Sequence, residues 1–250
     1  MITFEKVSKL NDYVNDNIKY LPKETYKSMM EDFNVKFTHE STKIEGNTLS
    51  ISEVKTILID KLSIGGKELR EIYEVTNNQK ANRYIHQMLA QGRELDEELI
   101  KDIHQIVMEN IIDGGIYRRY NVRITGASFS PPDWTMVRED MKFFIMDYNT
   151  KTKVLNPIEL ASFVHAQFVK IHPFQDGNGR CARLLLNYVL MANGFKAIII
   201  EASDRPSYYE SLDKYAGTGE LNDFNNLVIE KEYDILEDLK SEIDKAKKFL

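Results

Sequence analysis

The sequence contains one cysteine, Cys181, so it can form neither an internal disulfide nor a metal site that needs several thiolates. It also lacks a basic excess, because 33 lysine and arginine residues face 39 aspartate and glutamate residues, for a formal charge of −6. This balance provides no general attraction for nucleic acid, and any anion site would have to be local. We therefore expect no nucleic-acid partner.

Long apolar runs and an apolar leader are absent as well. No uninterrupted apolar stretch approaches the roughly 18 residues of a membrane helix. The start of the chain is charged and does not resemble a signal peptide. The sequence therefore predicts a protein without a membrane partner and with a cytoplasmic location, where a lone cysteine stays reduced.

The length of 250 residues and the hydrophobic share of 42% are typical of a globular protein with one large or two small domains. Apolar residues recur three and four positions apart along most of the chain, which predicts helices. The expected helices cover residues 7–20, 24–33, 37–47, 52–61, 67–89, 95–109, 137–148, 157–170, 178–193, 206–215 and 221–250.

One stretch has a different pattern. Residues 117–126 alternate and include β-branched side chains, and two prolines follow, so we predict a small β-hairpin flap over about 117–132. The predicted fold class is all-α, a helical bundle with this hairpin. We expect an N-terminal helical region over 1–65, a core over 66–220 and a C-terminal helix over 221–250, forming one compact unit.

Polar and charged side chains are concentrated in residues 172–183, which read HPFQDGNGRCAR. Gly177 and Gly179 flank an asparagine where a helix is expected to begin, and a helix N-terminus with free amides binds anions. Arg180 and Arg183 share one face of that helix, and their planar side chains match phosphate oxygens. This combination predicts a site for a di- or triphosphate.

Two titratable side chains stand at the start of this stretch. Asp176 would repel an anion unless a cation lay between them, which favours Mg²⁺, although the same residue suits a helix N-cap. Histidine ordinarily titrates near neutral pH, so His172 could take a proton from an attacking hydroxyl, although a lone histidine is more often a packed or surface residue. The neighbouring phosphate site favours the metal ligand and the general base.

Every defined position of this stretch matches the signature H-x-F-x-[DE]-G-N-G-R-x-x-R, and the chain resembles the Fic family over about residues 95–215. The resemblance implies transfer of AMP from ATP to a Ser, Thr or Tyr hydroxyl of a protein. It also implies that His172 is the general base and Asp176 the Mg²⁺ ligand. Gly177, Asn178 and Gly179 would form the anion hole, and Arg180 and Arg183 would bind the distal phosphates. Gly179 distinguishes the motif from that of the phosphorylating Doc-like branch, so AMP transfer is favoured.

A second pattern lies nearer the N-terminus. The segment STKIEG, from Ser41 to Gly46, matches the family's inhibitory pattern [ST]-x-x-x-E-[GN] within a short helix expected at about 39–46. Glu45 would lie at a helix C-terminus, where an anion needs a cationic partner, and Arg183 is the expected one. The Glu45 carboxylate would then bind the Arg183 guanidinium, which should otherwise hold the γ-phosphate of ATP. The alternative is an ordinary glycine-capped helix whose glutamate is solvated.

The predicted flap supplies a docking surface for a protein target. An extended edge can pair with a substrate segment by strand addition and present its hydroxyl to His172. The residues assigned to docking are Arg123, Ile124, Thr125, Gly126 and Phe129. Phe129 could instead be a buried aromatic side chain, and Arg118, just before these residues, is expected to belong to the scaffold.

The sequence leaves other functions to be weighed. A hydrolase that removes AMP from a modified protein, with Glu45 orienting a water molecule, needs the same residues. A catalytically silent nucleotide-binding module has no need of His172. A metal phosphohydrolase using His104, His165 and His172 leaves the glycines and arginines unexplained. We expect ATP as co-substrate, Mg²⁺ as cofactor and a protein substrate, and we leave self-modification and a homodimer open.

Overall fold

The fold is described by a computed structural model, which covers residues 2–124 and 127–248. Within these residues there are ten α-helices: α1 (Phe4–Asn17), α2 (Lys23–Lys43), α3 (Ile51–Lys55), α4 (Leu69–Ala90), α5 (Glu97–Val107), α6 (Val137–Lys151), α7 (Pro157–Ile171), α8 (Asn178–Ala192), α9 (Arg205–Thr218) and α10 (Asn222–Lys247). Short 3-10 turns at Ile18–Tyr20 and Ala202–Asp204 and a π-helical turn at Thr56–Asp60 complete the helical segments. No helix in the described part of the chain is long and apolar enough to cross a membrane.

Local sequence accounts for both ends of α7. Asn156 Oδ1 accepts hydrogen bonds from the amides of Ile158 and Glu159, and the Glu159 carboxylate accepts one from the Asn156 amide. Pro157 occupies the first helical position, where no amide donor is needed. The helix ends at His172, whose left-handed φ of 50° turns the chain towards α8.

The helices α7 and α8 pack side by side at the centre of the bundle. Most of their side chains are buried, so both helices are apolar around most of their circumference. The helix α1 packs along α10, and one hydrophobic core extends from Val7 in α1 to Ile243 in α10. The first and last helices therefore share a core with the central pair, while the division of the chain near residues 65 and 220 stays a prediction.

The helix α2 differs from the expectation. Separate helices at 24–33 and 37–47 were predicted, and this was wrong, because α2 runs without interruption from Lys23 to Lys43. No proline or glycine separates the two stretches, and Phe33 stacks on Phe37 one turn later, with ring centroids 6.2 Å apart. The segment 39–46 is therefore the end of α2 and the turn after it, which closes at Gly46 with φ of 103°.

The β-hairpin flap predicted over 117–132 is also wrong. Residues 117–124 and 127–132 contain no β-strand, and Thr125 and Gly126 lie outside the described residues. The alternating pattern was the signal for strands, but the backbone groups at the base of this segment bond to side chains and to the α7–α8 loop.

Arg118 accounts for most of these bonds. Its Nη1 donates to the carbonyl of Tyr120 at 3.1 Å and its Nη2 to the carbonyl of Pro132 at 2.6 Å, at the two ends of the segment. Its own amide donates to the carbonyl of Pro173 at 2.9 Å. Since a hairpin needs backbone groups of one strand to bond to the other, these bonds to the Arg118 side chain and to the α7–α8 loop replace the ladder that the pattern predicted.

Candidate functional site

The loop between α7 and α8 carries the signature residues and is closed by one of their side chains. Asn178 Oδ1 accepts a hydrogen bond from the Phe174 amide at 3.0 Å, and Asn178 Nδ2 donates to the Phe174 carbonyl at 2.9 Å. The Phe174 ring is fully buried beneath the loop. The side chain of Asn178 therefore holds the loop, and its backbone amide is the group left for the predicted anion hole.

Two glycines shape the start of α8. Gly177 precedes the helix with φ of 75°, and a Cβ at this position would come within 2.6 Å of Met108 Sδ. A Cβ on Gly179, in the first turn, would overlap the carboxylate of Glu45. The first amides of a helix have no intrahelical acceptor, so this end of α8 suits an anion.

Arg183 is buried and has several acceptors. Its Nε donates to Ser41 Oγ at 3.0 Å and its Nη2 to the Ser41 carbonyl at 2.7 Å, while its Nη1 lies 3.4 Å from the Tyr208 hydroxyl. Nη2 also lies 2.8 Å from Glu45 Oε1. Burial alone would lower the pKa of Arg183, but the charge of Glu45 and the contact with Tyr208 outweigh burial and raise it. The guanidinium therefore stays charged.

A cavity of about 70 Å³ opens beside this ion pair, and Glu45, Gly179 and Arg183 line it together with His172. Sites for small molecules usually enclose roughly 300–1,000 Å³. A nucleotide with its phosphates therefore needs more space than this arrangement leaves. The Glu45 carboxylate takes up part of that space, since it lies against Gly179.

His172 faces this cavity from the end of α7. Burial lowers the pKa of His172 to about 4, although the charge of Glu45 acts in the opposite direction. The imidazole is therefore neutral at pH 7. A neutral imidazole beside a phosphate-binding site can accept a proton from a hydroxyl.

Arg180 is fully buried. Its Nη2 lies 3.5 Å from Asp176 Oδ1 and 3.8 Å from Glu74 Oε1. Its Nε and Nη1 are buried without hydrogen-bond partners among residues 2–124 and 127–248. Because leaving buried donors unsatisfied is costly, this guanidinium suits an anion such as phosphate.

Asp176, the predicted metal ligand, is already engaged on both oxygens. Its Oδ2 pairs with Arg70 Nη2 from α4, and its Oδ1 accepts a hydrogen bond from the Gly177 amide at 2.5 Å. Burial raises the pKa of Asp176, but the charge of Arg180 and the bond from Arg70 outweigh it, so the pKa lies below its usual value. The carboxylate is therefore ionised and suits a hard cation, and Arg70 holds the oxygen that such a cation would need.

Two arginines at this site were not assigned to it from the sequence. Arg118 is buried, and its Nε donates to the carbonyl of His172 at 2.9 Å. Arg70 was not singled out at all. Their contacts join residues 54 and 106 positions apart in the chain. No local pattern reveals such a contact, although Arg118 does lie within residues 95–215, over which the sequence resembles the family.

The three histidines of the phosphohydrolase hypothesis serve different neighbours. His165 Nε2 lies 2.9 Å from the Tyr208 hydroxyl, and both burial and the charge of Arg183 lower the pKa of His165 well below its usual value. His104 contacts the loop under Phe174 instead of the cavity. The described residues include no group of three His, Cys, Asp or Glu side chains that could hold a metal.

The residues assigned to target docking are only partly described. Ile124 and Phe129 line the cavity together with His172. The Phe129 side chain is half-buried, whereas Arg123 is exposed. Thr125 and Gly126, which were assigned the same role, lie outside the described residues.

Comparison with known proteins agrees with this geometry. Residues 94–190 match the model of the Fic/DOC family. A solved structure of Fic-1 from Caenorhabditis elegans superposes with a TM-score of 0.82 at 30% identity, covering 95% of this chain and 70% of its own. The chain belongs to the Fic/DOC family. A Fic-domain signalling protein from Bacteroides thetaiotaomicron superposes with a TM-score of 0.83 at 26% identity, covering 97% of this chain and 96% of its own.

Curated members of the family are longer than this chain. The protein adenylyltransferase fic-1 of C. elegans is 35% identical over 218 residues, which make up 84% of this chain and 42% of that protein. The protein adenylyltransferase Fic of Drosophila erecta is 33% identical over 74% of this chain and 38% of its own length. This Fic/DOC chain thus spans about two fifths of the curated relatives it matches.

Proposed function

We propose that this chain transfers AMP from ATP to a Ser, Thr or Tyr hydroxyl of a protein, and that the contact between Glu45 and Arg183 restrains the reaction. The observation that carries the proposal is that His172, Gly179 and Arg183 line one cavity at the N-terminus of α8. The relatives from C. elegans and Drosophila erecta, both named protein adenylyltransferases, support the same reaction.

The base and the phosphate-binding groups face the same space, which suits nucleotidyl transfer. The first amides of α8 and Arg180 bind the phosphates, and Arg183 binds a terminal phosphate oxygen once Glu45 has left it. His172 takes the proton of the target hydroxyl while the hydroxyl oxygen bonds to the α-phosphorus. The bond from the α-phosphorus to the bridging oxygen breaks, and pyrophosphate leaves with both electrons of that bond.

The target is proposed to dock over the described parts of segment 120–132. Ile124 and Phe129 lie in the same cavity as His172, so a hydroxyl held against them stands near the base. Because the described residues form no strand here, docking relies on these side chains and on exposed Arg123 instead of a strand edge. Self-modification, a homodimer and a cytoplasmic location stay predictions from the sequence.

The Asp176 carboxylate suits Mg²⁺, which takes one or two carboxylates together with substrate phosphates. Asp176 would hold it from the protein side, since this carboxylate is ionised and lies in the same loop as His172. The ion, when bound, neutralises phosphate charge. Arg70 would first have to release Asp176 Oδ2, because both cations need the same oxygen.

The substitution Arg70→Gln is therefore expected to lower the Mg²⁺ concentration that half-saturates binding of a non-hydrolysable ATP analogue, by about two- to fivefold. The effect is modest because half of the Arg70 side chain is exposed, so solvent weakens its ion pair. Calorimetry measures binding of the analogue at a series of Mg²⁺ concentrations. Lys80→Gln, which removes an exposed ion pair from the same helix, serves as the control. An unchanged or higher Mg²⁺ requirement in Arg70→Gln would contradict competition for Asp176.

The reaction type can be tested directly with two labelled nucleotides. AMP transfer places label from α-labelled ATP on protein and none from γ-labelled ATP, because the γ-phosphate leaves within pyrophosphate. Phosphoryl transfer gives the reverse pattern. Both incubations should use a cell lysate and the purified chain, so that targets and self-modification are both detected. Label from the γ-position alone would refute the proposed function.

A hydrolase that removes AMP is the second candidate, and the position of Glu45 favours it. Its carboxylate lines the same cavity as His172, where it could orient a water molecule towards an AMP–protein bond. Incubating an AMP-modified target with the wild-type chain and with Glu45→Gly distinguishes the two candidates, since only hydrolysis requires Glu45. A catalytically silent module would neither add nor remove AMP.

A further inference from the structure

His104 is a buried histidine of α5 that the proposed chemistry does not use. Its ring stacks on Phe174 with centroids 3.6 Å apart and an angle of 4° between the planes. Phe174 belongs to the signature loop, so this stack lies directly behind the residues that would bind phosphate and metal. Aromatic pairs seldom lie so flat and close without a further constraint on one of the rings.

That constraint comes from both ring nitrogens. The Gly115 amide donates a hydrogen bond to His104 Nδ1 at 2.8 Å, so Nδ1 carries no proton. In a neutral ring the proton must then be on Nε2, which lies 2.9 Å from the carbonyl oxygen of Asp176 and donates to it. The two neighbours of the ring therefore determine its tautomer, and the ring connects two segments that are far apart in the chain.

The hydrogen bond from His104 Nε2 holds one peptide group of the loop. The Asp176 carbonyl belongs to the peptide that joins Asp176 to Gly177, and the amide of this same peptide donates to Asp176 Oδ1. Holding the carbonyl therefore holds the amide and, through it, the carboxylate. Gly177 is also the residue before α8, so the direction of this peptide sets where the first amides of the helix point.

The hydrogen bond from the Gly115 amide to His104 Nδ1 connects the ring to the segment that supports His172. Gly115 lies three residues before Arg118, whose side chain donates to the His172 carbonyl and whose amide donates to the Pro173 carbonyl. One side of the loop, at His172, is thus held by Arg118, and the other side, at Asp176, by His104. The two supports serve different parts of the site.

We propose that His104 is a positioning residue for the nucleotide and metal half of the site: its Nε2–H orients the Asp176–Gly177 peptide and thereby the carboxylate and the first amides of α8. This inference rests on the proposed function. It assigns His104 to binding of Mg²⁺–ATP and leaves proton transfer to His172. A histidine that served only to fill the core would be replaceable by any side chain of similar volume.

Replacing His104 by glutamine or by asparagine tests its two hydrogen bonds separately. Glutamine at position 104 places a donor near the Nε2 position and retains the link to Asp176, whereas asparagine places an acceptor near Nδ1 and retains the link to Gly115. In a Glu45→Gly parent, His104→Gln is expected to keep the affinity for a non-hydrolysable ATP analogue with Mg²⁺. His104→Asn and His104→Phe are expected to weaken that affinity about tenfold.

Transfer kinetics provide a second readout. The KM for ATP should rise in His104→Asn and His104→Phe, while kcat at saturating Mg²⁺–ATP stays close to the parent value. Thermal unfolding of each variant shows whether the loss of affinity merely follows the loss of stability. His86→Gln, a histidine change at an exposed position of α4, is the matched control and should bind as the parent does.

The inference is overturned if glutamine and asparagine weaken binding equally, if phenylalanine binds as well as the parent, or if kcat alone falls. Failure of the proposed function gives a different result, because the parent would then bind the analogue without transferring AMP, and the order of the variants in the binding assay would still decide the role of His104. A parent that binds no nucleotide would overturn both.

Discussion

The substitution Glu45→Gly is expected to raise AMP labelling of protein from α-labelled ATP by roughly 10- to 150-fold. Glu45 Oε1 bonds to Arg183 Nη2 at 2.8 Å, and a hydrogen bond between charged groups contributes about 1.5–3 kcal/mol. A terminal phosphate must displace this bond to reach the guanidinium, and each 1.4 kcal/mol corresponds to about tenfold. Removing the carboxylate also clears the space over Gly179.

Arg183 should remain in place in this variant. Its two bonds to Ser41 do not involve Glu45, so the guanidinium stays oriented and becomes available to phosphate. The affinity for ATP should therefore rise together with the transfer rate. Glu45→Gln, which keeps the shape and loses the charge, should fall between the wild type and the glycine variant.

The control must account for the flexibility that glycine adds at the end of α2. Lys43→Gly places a glycine in the same turn at an exposed position, so it loosens the backbone without touching Arg183. This variant should label at the wild-type level. Equal labelling by the wild type and Glu45→Gly, or equal activation by Lys43→Gly, would refute restraint by the Glu45–Arg183 contact.

Adding His172→Ala to the Glu45→Gly variant is expected to reduce AMP transfer by about 10²–10⁴-fold, the usual range for loss of a general base. The affinity for a non-hydrolysable ATP analogue should change little, because the phosphate-binding groups come from α8. Single-turnover transfer and calorimetric binding measure the two quantities separately. Retained transfer would exclude His172 as the base.

The pH dependence provides an independent check on the same residue. Only neutral imidazole can accept a proton, so kcat/KM should fall as the pH drops through the pKa of His172. Burial lowers that pKa to about 4 from the usual value of 6.5. The acidic limb of the kcat/KM profile should therefore lie well below pH 6.5. Loss of Glu45, whose charge raises this pKa, shifts the limb further in the same direction. An acidic limb near 6.5 would contradict a buried, neutral base.

Part of the site could be predicted because its residues are neighbours in the chain. Gly177 and Gly179 flank the expected start of a helix, Arg180 and Arg183 are three residues apart, and both features follow from local rules of helix geometry. The pairing of Glu45 with Arg183 was expected from a family pattern and from the need for a cation at a helix end. Its inhibitory role stays a prediction.

The errors have a common physical cause. The hairpin was predicted from alternation over 117–126, but Arg118 bonds the carbonyls of Tyr120 and Pro132, so backbone groups at the base of the segment are held by a side chain. Separate helices were predicted at 24–33 and 37–47, although no proline or glycine lies between them. Phe33 stacks on Phe37 one turn later, and the helix continues through these residues. In both places contacts of side chains outweigh the local pattern.

The sequence by itself determined the helical class, the loop between α7 and α8 and the chemistry of its side chains, because these depend on residues within one or two helical turns. Only the tertiary structure decided which distant groups meet that loop. Arg70 reaches Asp176 across 106 positions and His104 reaches it across 72. Helix packing brings these groups together, and local spacing carries no information about which helices become neighbours.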